Sequence, residues 1–193
     1  MREPAKKPAT YEDLYDVPEN LIGEIVNGEL TVPPRPTRKH GYAATALIEE
    51  VGPPYHRGRG GPGGWSFIAE PEVIFGEDIM APDVAGWKAQ RFLWEEDRNP
   101  VSVAPDWVCE VLSPKTVRND KVRKMPVYAR HGVGHIWLID PAAMTMDAFR
   151  LESGRWLLLA SFSENDKARV EPFQEIEINL AYLWAESSQP PTP

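Results

Sequence analysis

Two near-continuous apolar runs decide the fold of this chain, Trp107-Val-Cys-Glu-Val-Leu112 and His135-Ile-Trp-Leu-Ile139. Strands that are covered on both faces have this composition, and about twenty residues of helical character separate the two runs. A strand, a helix and a second strand in this order form a crossover unit with parallel strands. The two runs therefore predict a sheet that is parallel at this point.

Other segments add antiparallel strands to this unit. Asn27-Gly28 and Ser153-Gly154 each separate two extended runs, which predicts two tight hairpins. The remaining predicted elements are strands over residues 65–75, 79–87, 144–151 and 155–162, a helix over 40–55, and a short helix through Trp184 that follows 175–180. Residues 87–98 allow a short helix or an ordered loop. We predict a mixed α/β fold class, with a central sheet flanked by helices.

Length and composition indicate one domain. The chain has 193 residues, of which 42% are hydrophobic, enough to bury a sizeable core. We predict a single domain over residues 10–186, between disordered tails at 1–9 and 187–193. No run approaches the roughly 18 apolar residues of a membrane span, and the N-terminus lacks a secretory signal, so we expect a cytoplasmic protein. Cys109 is the only cysteine, which favours a packing role.

The net charge of -8 argues against a surface that attracts nucleic acid everywhere. Local basic clusters remain. They are Arg35, Arg38 and Lys39 with His40; His56, Arg57 and Arg59; and Lys115, Arg118, Lys121, Arg123, Lys124 and Arg130. We interpret the first two as solvated surface. The third follows the acidic residues described next, which favours a function.

Glu110 is a carboxylate in the middle of an apolar strand. Burying an unpaired carboxylate costs several kcal/mol, so a cation, hydrogen bonds or a raised pKa must compensate. Strand alternation places Val108, Glu110 and Leu112 on one face. A salt bridge to a nearby Lys or Arg and a functional site are both open interpretations.

Asp83 is a second candidate acid, directly after Pro82 at the start of a β-rich run. It is either a turn residue or the neighbour of Glu110 on an adjacent strand. Two adjacent carboxylates favour a bound cation, and oxygen ligands suit Mg²⁺ or Mn²⁺. Zinc is disfavoured, because the four histidines lack ligand spacing and one cysteine cannot form a cluster.

A lysine near such a metal can stabilise developing negative charge. Lys115, Lys121 and Lys124 all follow Glu110 in the chain. Asp120 and Lys124 are spaced i,i+4, so an ordinary salt bridge on a helix surface is the alternative interpretation of that pair.

Five blocks of the chain closely resemble the Uma-type putative restriction endonucleases of the PD-(D/E)XK nuclease superfamily. The resemblance extends from about Glu24-Ile-Val-Asn-Gly-Glu29 to Leu151. The blocks are Pro82-Asp83, Asp106-Trp-Val-Cys-Glu110-Val-Leu-Ser-Pro114, Asp120-Lys-Val-Arg-Lys124, Tyr128-Ala-Arg-His-Gly-Val133 and Ile136-Trp-Leu-Ile-Asp-Pro141. This resemblance implies a restriction-endonuclease-like core with a divalent metal site, in which Asp83 and Glu110 are the acidic residues.

The chain departs from the superfamily pattern at Leu112, which stands where the motif has lysine. The resemblance points to Lys124 on the following helix instead, with Lys121 in reserve. Pro126 predicts that the regular helix begins near Lys124 or is kinked there. Glu24, Glu29 and His40 also match the family's N-terminal pattern, but we do not assign them to the site.

These observations support three functional hypotheses. The first is a Mg²⁺- or Mn²⁺-dependent endonuclease for DNA, in which Asp83 and Glu110 hold the metal and Lys124 assists the attack of water; cutting both strands would favour a homodimer. The second is a catalytically inactive nuclease fold that binds or assembles with partners; an exposed patch of tryptophans such as Trp87 and Trp94 would support it, although we expect most tryptophans in the core. The third is a metal-dependent hydrolase of RNA or a small phosphate ester.

Overall fold

A computed structural model describes residues 7–92 and 100–185 of the chain. The two predicted tails lie outside this range, apart from residues 7–9, where the Ala9 amide donates a hydrogen bond of 2.9 Å to the Gly28 carbonyl. Trp94 and half of the segment that allowed a short helix or a loop, residues 93–98, also lie outside it.

Within the described ranges the chain forms twelve strands and two α-helices. The strands are β1 (Glu24–Val26), β2 (Glu29–Thr31), β3 (Trp65–Ala69), β4 (Val73–Phe75), β5 (Asp78–Met80), β6 (Val84–Lys88), β7 (Trp107–Val111), β8 (His135–Asp140), β9 (Thr145–Glu152), β10 (Arg155–Ser163), β11 (Lys167–Ala168) and β12 (Ile178–Asn179). The helices are α1 (Arg38–Val51) and α2 (Met125–Arg130), with 3₁₀ turns at Tyr11–Asp16 and Leu180–Leu183 and π-helical turns at Gly52–His56 and Asn119–Lys124. None of the helices in residues 7–92 and 100–185 has the length and apolar character needed to cross a bilayer.

The central sheet has six strands in the order β10-β9-β8-β7-β6-β3. β7 and β8 are parallel, paired from Trp107↔His135 to Val111↔Ile139, and all the other neighbours in this sheet are antiparallel. Helix α1 packs in one apolar cluster with Trp107 and Cys109, and α2 packs in another with Val108. The predicted mixed sheet with helices on both faces is confirmed.

A smaller antiparallel sheet, in the order β2-β1-β5-β4, lies on the α2 side. Its residues Val26, Phe75 and Met80 share an apolar cluster with Tyr128 of α2, and the rings of Phe75 and Tyr128 are 5.3 Å apart. This packing brings β1, with Glu24 at its start, close to α2.

Two of the predicted strands are each broken in two. Residues 65–75 form β3 in the central sheet and β4 in the small sheet, because Glu70 adopts a left-handed φ of 48° and Pro71 follows it. Residues 79–87 likewise divide between β5 and β6 at Ala81-Pro82, where proline has no amide for a strand ladder. The second break leaves Asp83 directly before β6.

The predicted hairpins and the effect of Pro126 agree with the structure. Asn27 and Gly28 have φ of 52° and 74°, as the tightest hairpin turns require. π-helical turns precede α2, and the last of them is closed by a bond from the Met125 amide to the Asp120 carbonyl. Pro126 therefore falls in the first turn of α2, where its missing amide is tolerated, and the regular helix begins next to Lys124.

Candidate active site

A cleft of about 590 Å³ lies where β7 ends and β6 begins. Side chains from both sheets, from α1 and from the π-helical turns before α2 reach it. The ionisable residues of its inner part are Glu24, His40, Asp83, Glu110, Asp120 and Lys124.

Lys124 joins two acidic residues inside the cleft. Its Nζ lies 2.8 Å from Glu110 Oε1 and 2.9 Å from Glu24 Oε1. The Tyr128 hydroxyl, one helical turn after Lys124, also donates a hydrogen bond to Glu110 Oε1. Glu24 accepts a further bond of 2.9 Å from the Ala81 amide, so it ties Lys124 to the segment that leads into Asp83.

Burial and the neighbouring charges together set the pKa values of Glu110 and Lys124. Glu110 and Lys124 are 2% and 3% exposed. Burial raises the pKa of Glu110 well above its usual range, although the charge of Lys124 opposes the shift. Burial lowers the pKa of Lys124, but the charges of Glu110 and Glu24 outweigh it, and the net shift is upward. Lys124 therefore stays protonated.

Asp83 directly precedes Val84, the first residue of β6, which is paired with Cys109 of β7. In this antiparallel register Asp83 lies opposite Glu110. Its two carboxylate oxygens are both held. Oδ2 accepts a hydrogen bond of 2.7 Å from the Val111 amide, and Oδ1 lies 3.2 Å from Nε2 of His40. These two contacts fix the carboxylate at the end of the sheet, where the cleft opens.

His40 reaches the cleft from the first turn of α1. The Thr37 side chain caps this helix by accepting a bond of 3.3 Å from the His40 amide. Burial lowers the pKa of His40, but the hydrogen bond and the charge of Asp83 outweigh it, so the net shift is upward. The imidazole therefore favours the charged form that pairs with Asp83.

Asp120 adds a further buried acid to the cleft. Burial raises its pKa to about 6, against the opposing charge of Lys124. The alternative interpretation of Asp120 and Lys124, a salt bridge on a helix surface, does not hold. Both side chains are buried, and the carboxylates within 4.0 Å of Lys124 among the described residues are those of Glu24 and Glu110. Lys124 and His40 thus face a larger number of acidic groups, which are Glu24, Asp83, Glu110 and Asp120.

The acidic surplus fits a divalent cation that takes few protein ligands. In residues 7–92 and 100–185, no group of three His, Cys, Asp or Glu side chains is arranged to hold a metal. Mg²⁺ commonly binds through one or two carboxylates, with water and substrate phosphate as the other ligands. Asp83 and Glu110 could supply these two carboxylates; the contacts of Glu110 with Lys124 and Tyr128 both use Oε1.

The three residues predicted from sequence, Asp83, Glu110 and Lys124, all line this one cleft. Lys121, the reserve lysine, is exposed and does not line it. Glu29 also lies apart, paired with Arg123 at 2.9 Å.

The sequence did not assign four residues that the structure adds to the site: Glu24, His40, Asp120 and Tyr128. Glu24 carried a usable signal, because it adjoins the apolar pair Ile25-Val26 in the way that Glu110 interrupts an apolar strand. Asp120 and Tyr128 each lie four residues from Lys124, a spacing that brings side chains to one helix face. His40 had no such signal.

Comparisons with known proteins agree with this architecture. A family model described as "Uma2: Putative restriction endonuclease" matches residues 8–181. A solved structure described as a putative nuclease belonging to DUF820, from Anabaena variabilis ATCC 29413, superposes with a TM-score of 0.72 at 23% identity, covering 93% of this chain and 99% of that one. This similarity shows a shared fold. Among curated proteins no match was found. The extent of the family match shows that the chain belongs to the Uma2 family of putative restriction endonucleases.

Proposed function

We propose that this protein is a metal-dependent endonuclease that hydrolyses phosphodiester bonds of DNA. The observation that carries the proposal is the meeting of Asp83, Glu110 and Lys124 in one cleft. They come from the start of β6, from β7 and from the turns before α2. Membership of a family described as restriction endonucleases supports a nuclease in general.

Asp83 and Glu110 would hold Mg²⁺ or Mn²⁺. A bound ion of this kind acts as a Lewis acid and lowers the pKa of water, which gives a nucleophile at neutral pH. His40 and the Val111 amide orient Asp83. Lys124, kept charged and held by Glu24, would stabilise the negative charge that develops on the phosphate.

The position of Lys124 compensates for Leu112. Leu112 is buried in the apolar cluster that contains Val108 and Tyr128, so this position has no cation to offer the cleft. The Lys124 ammonium reaches Glu110 from the helical segment instead. The acid and the lysine of the superfamily pattern would then come from two elements rather than one strand.

One observation favours the second candidate, a catalytically inactive binding module. Lys124 contacts Glu110 directly, so the pair already neutralises part of its own charge. An exposed tryptophan patch would have supported this candidate, but Trp87 is fully buried, as expected of a core residue, and donates its Nε1 hydrogen to the Val103 carbonyl. Trp94 lies outside the described residues.

Cleavage of supercoiled plasmid DNA tests the proposal. The wild type should nick the plasmid with Mg²⁺ or Mn²⁺ and not with EDTA, and Asp83→Ala and Glu110→Ala should be inactive. Equal nicking by all three proteins means contamination, and no nicking by the wild type favours the inactive module. Linear products at early times would support a homodimer that cuts both strands, which sedimentation can check.

A further inference from the structure

Two cationic side chains at the cleft have no acidic partner among the described residues. Arg35 and Lys115 both line the cleft that contains Asp83 and Glu110, and both are exposed. Neither forms an ion pair with a carboxylate in residues 7–92 and 100–185. Their charges are therefore available to a ligand in the cleft.

Lys115 is presented by a rigid turn. Two reciprocal hydrogen bonds join Ser113 and Thr116 across this turn. The Ser113 amide donates to Thr116 Oγ1 at 3.3 Å, and the Thr116 amide donates to Ser113 Oγ at 3.2 Å. Pro114 occupies the position between Ser113 and Lys115, and its ring fixes the backbone angle φ. The backbone below Lys115 is thus already ordered before any ligand binds.

Arg35 is presented by a second restrained segment, the link between β2 and α1. It lies between Pro34 and Pro36, which restrict the backbone on both sides to extended conformations. Its Nη2 donates a hydrogen bond of 3.4 Å to the Asn20 carbonyl, which leaves the formal charge of the guanidinium unmatched. Little backbone entropy is lost when such a residue binds an anion.

The inner part of the cleft is negatively charged, in contrast to the positive charges of Arg35 and Lys115. The deeper lining is mostly acidic, and its two cationic side chains already have acidic partners: Lys124 contacts Glu24 and Glu110, and His40 contacts Asp83. Without a metal ion this interior repels a polyanion, and the whole chain has a net charge of -8. Anion binding at the cleft must therefore depend strongly on Arg35 and Lys115.

We propose that Arg35 and Lys115 bind the phosphates next to the one that is cut, so that the cleft takes an internal phosphodiester of a polynucleotide strand. This inference rests on the proposed nuclease function and assigns the residues that contact its substrate on either side of the cleaved bond. A small phosphate ester has no neighbouring phosphates and cannot use either residue. An oligonucleotide of DNA or RNA can use both, because the backbone chemistry is shared.

Binding measurements test this assignment. Fluorescence anisotropy of labelled DNA and RNA oligonucleotides is measured over a range of salt concentrations, with Ca²⁺ and with EDTA. Each phosphate contact adds roughly 0.7–0.9 to the slope of log K against log salt, so the double variant Arg35→Gln/Lys115→Gln should lose about 1.4–1.8 of that slope. The matched control is Arg155→Gln, an exposed arginine at the start of β10, the edge strand that is three positions from β7 in the central sheet. Equal slopes for both variants, or no binding by the wild type, would overturn the proposal.

Cleavage of short substrates separates this proposal from the nuclease function. The wild type should prefer a tetranucleotide to a dinucleotide, which has one phosphodiester and no neighbours, and the double variant should lose that preference. If the wild type binds through the two cations but cleaves nothing, the nuclease function fails and the binding assignment stands. If it cleaves both substrates equally well and the salt slope is unaltered in the variant, the nuclease stands and the assignment fails.

Discussion

Lys124 Nζ lies 2.8 Å from Glu110 Oε1. Both side chains are buried, and they come from two elements that are separated by a loop in the chain. The acid belongs to β7, and the lysine to the π-helical turns that lead into α2. A buried pair of this kind carries a large desolvation cost, and removing one partner leaves an uncompensated charge. Its two members can therefore be tested for stability and for activity separately.

Lys124→Met should abolish plasmid cleavage and weaken the fold. Loss of a cation that stabilises developing charge typically costs a factor of about 10²–10³ in rate. Leaving Glu24 and Glu110 without their cation should cost about 3–5 kcal/mol of unfolding free energy. Nicking rates and urea unfolding measure the two effects, with circular dichroism to confirm that the assayed variant is folded.

Lys121→Met is the matched control for Lys124. This lysine is exposed on the same helical segment and does not line the cleft. Its removal should change stability by no more than about 0.5 kcal/mol, with cleavage unchanged. The assignment of Lys124 is wrong if the Lys121 variant is inactive and the Lys124 variant is not.

Mg²⁺ should stabilise the wild type against thermal unfolding, because it relieves the acidic surplus of the cleft. A ligand at ten times its Kd stabilises by about 1.4 kcal/mol. Asp83→Asn and Glu110→Gln should each lose this shift, measured by differential scanning fluorimetry against NaCl of equal ionic strength. An undiminished shift in both variants would mean that the ion binds elsewhere.

Asp120→Asn should stabilise the protein at neutral pH and not in acid. Since the pKa of Asp120 is raised to about 6 from 3.8, the folded state favours the protonated form. The wild type therefore loses stability relative to the Asn variant as pH rises from about 4 to about 6, by up to roughly 3 kcal/mol, and the difference is constant above that. Urea unfolding across this pH range measures it; a difference independent of pH contradicts the prediction.

Tyr128→Phe should cost more stability than Tyr55→Phe. The Tyr128 hydroxyl donates to buried Glu110, whereas the Tyr55 hydroxyl donates to Glu175, an exposed residue, at 2.6 Å. Hydrogen bonds to charged groups contribute about 1.5–3 kcal/mol, and we expect the upper part of this range for Tyr128. Denaturant unfolding compares the two, and equal losses would show that the bond to Glu110 is not specially stabilising.

The sequence by itself determined the elements whose signals are local. The two apolar runs predicted the parallel pair β7 and β8, and Asn27-Gly28 predicted its hairpin, because strand burial and turn geometry depend on neighbouring residues. The apolar neighbours of Glu110 predicted that its carboxylate is buried, although they did not identify its partner. The family resemblance supported Asp83 and selected Lys124 from three candidate lysines, and both line the cleft with Glu110.

Only the tertiary structure decided which groups meet. Glu24 reaches Lys124 because the small sheet packs on the α2 side, and His40 reaches Asp83 because α1 begins beside the end of β7. Both contacts join residues far apart in the chain, so no local pattern encodes them. The sequence also did not reveal that residues 65–75 and 79–87 each divide between two sheets. Each half has the composition of a strand, and that composition does not specify which sheet the strand joins. Local propensity selected the strands, and long-range packing determined how they were partitioned and which charges they brought together.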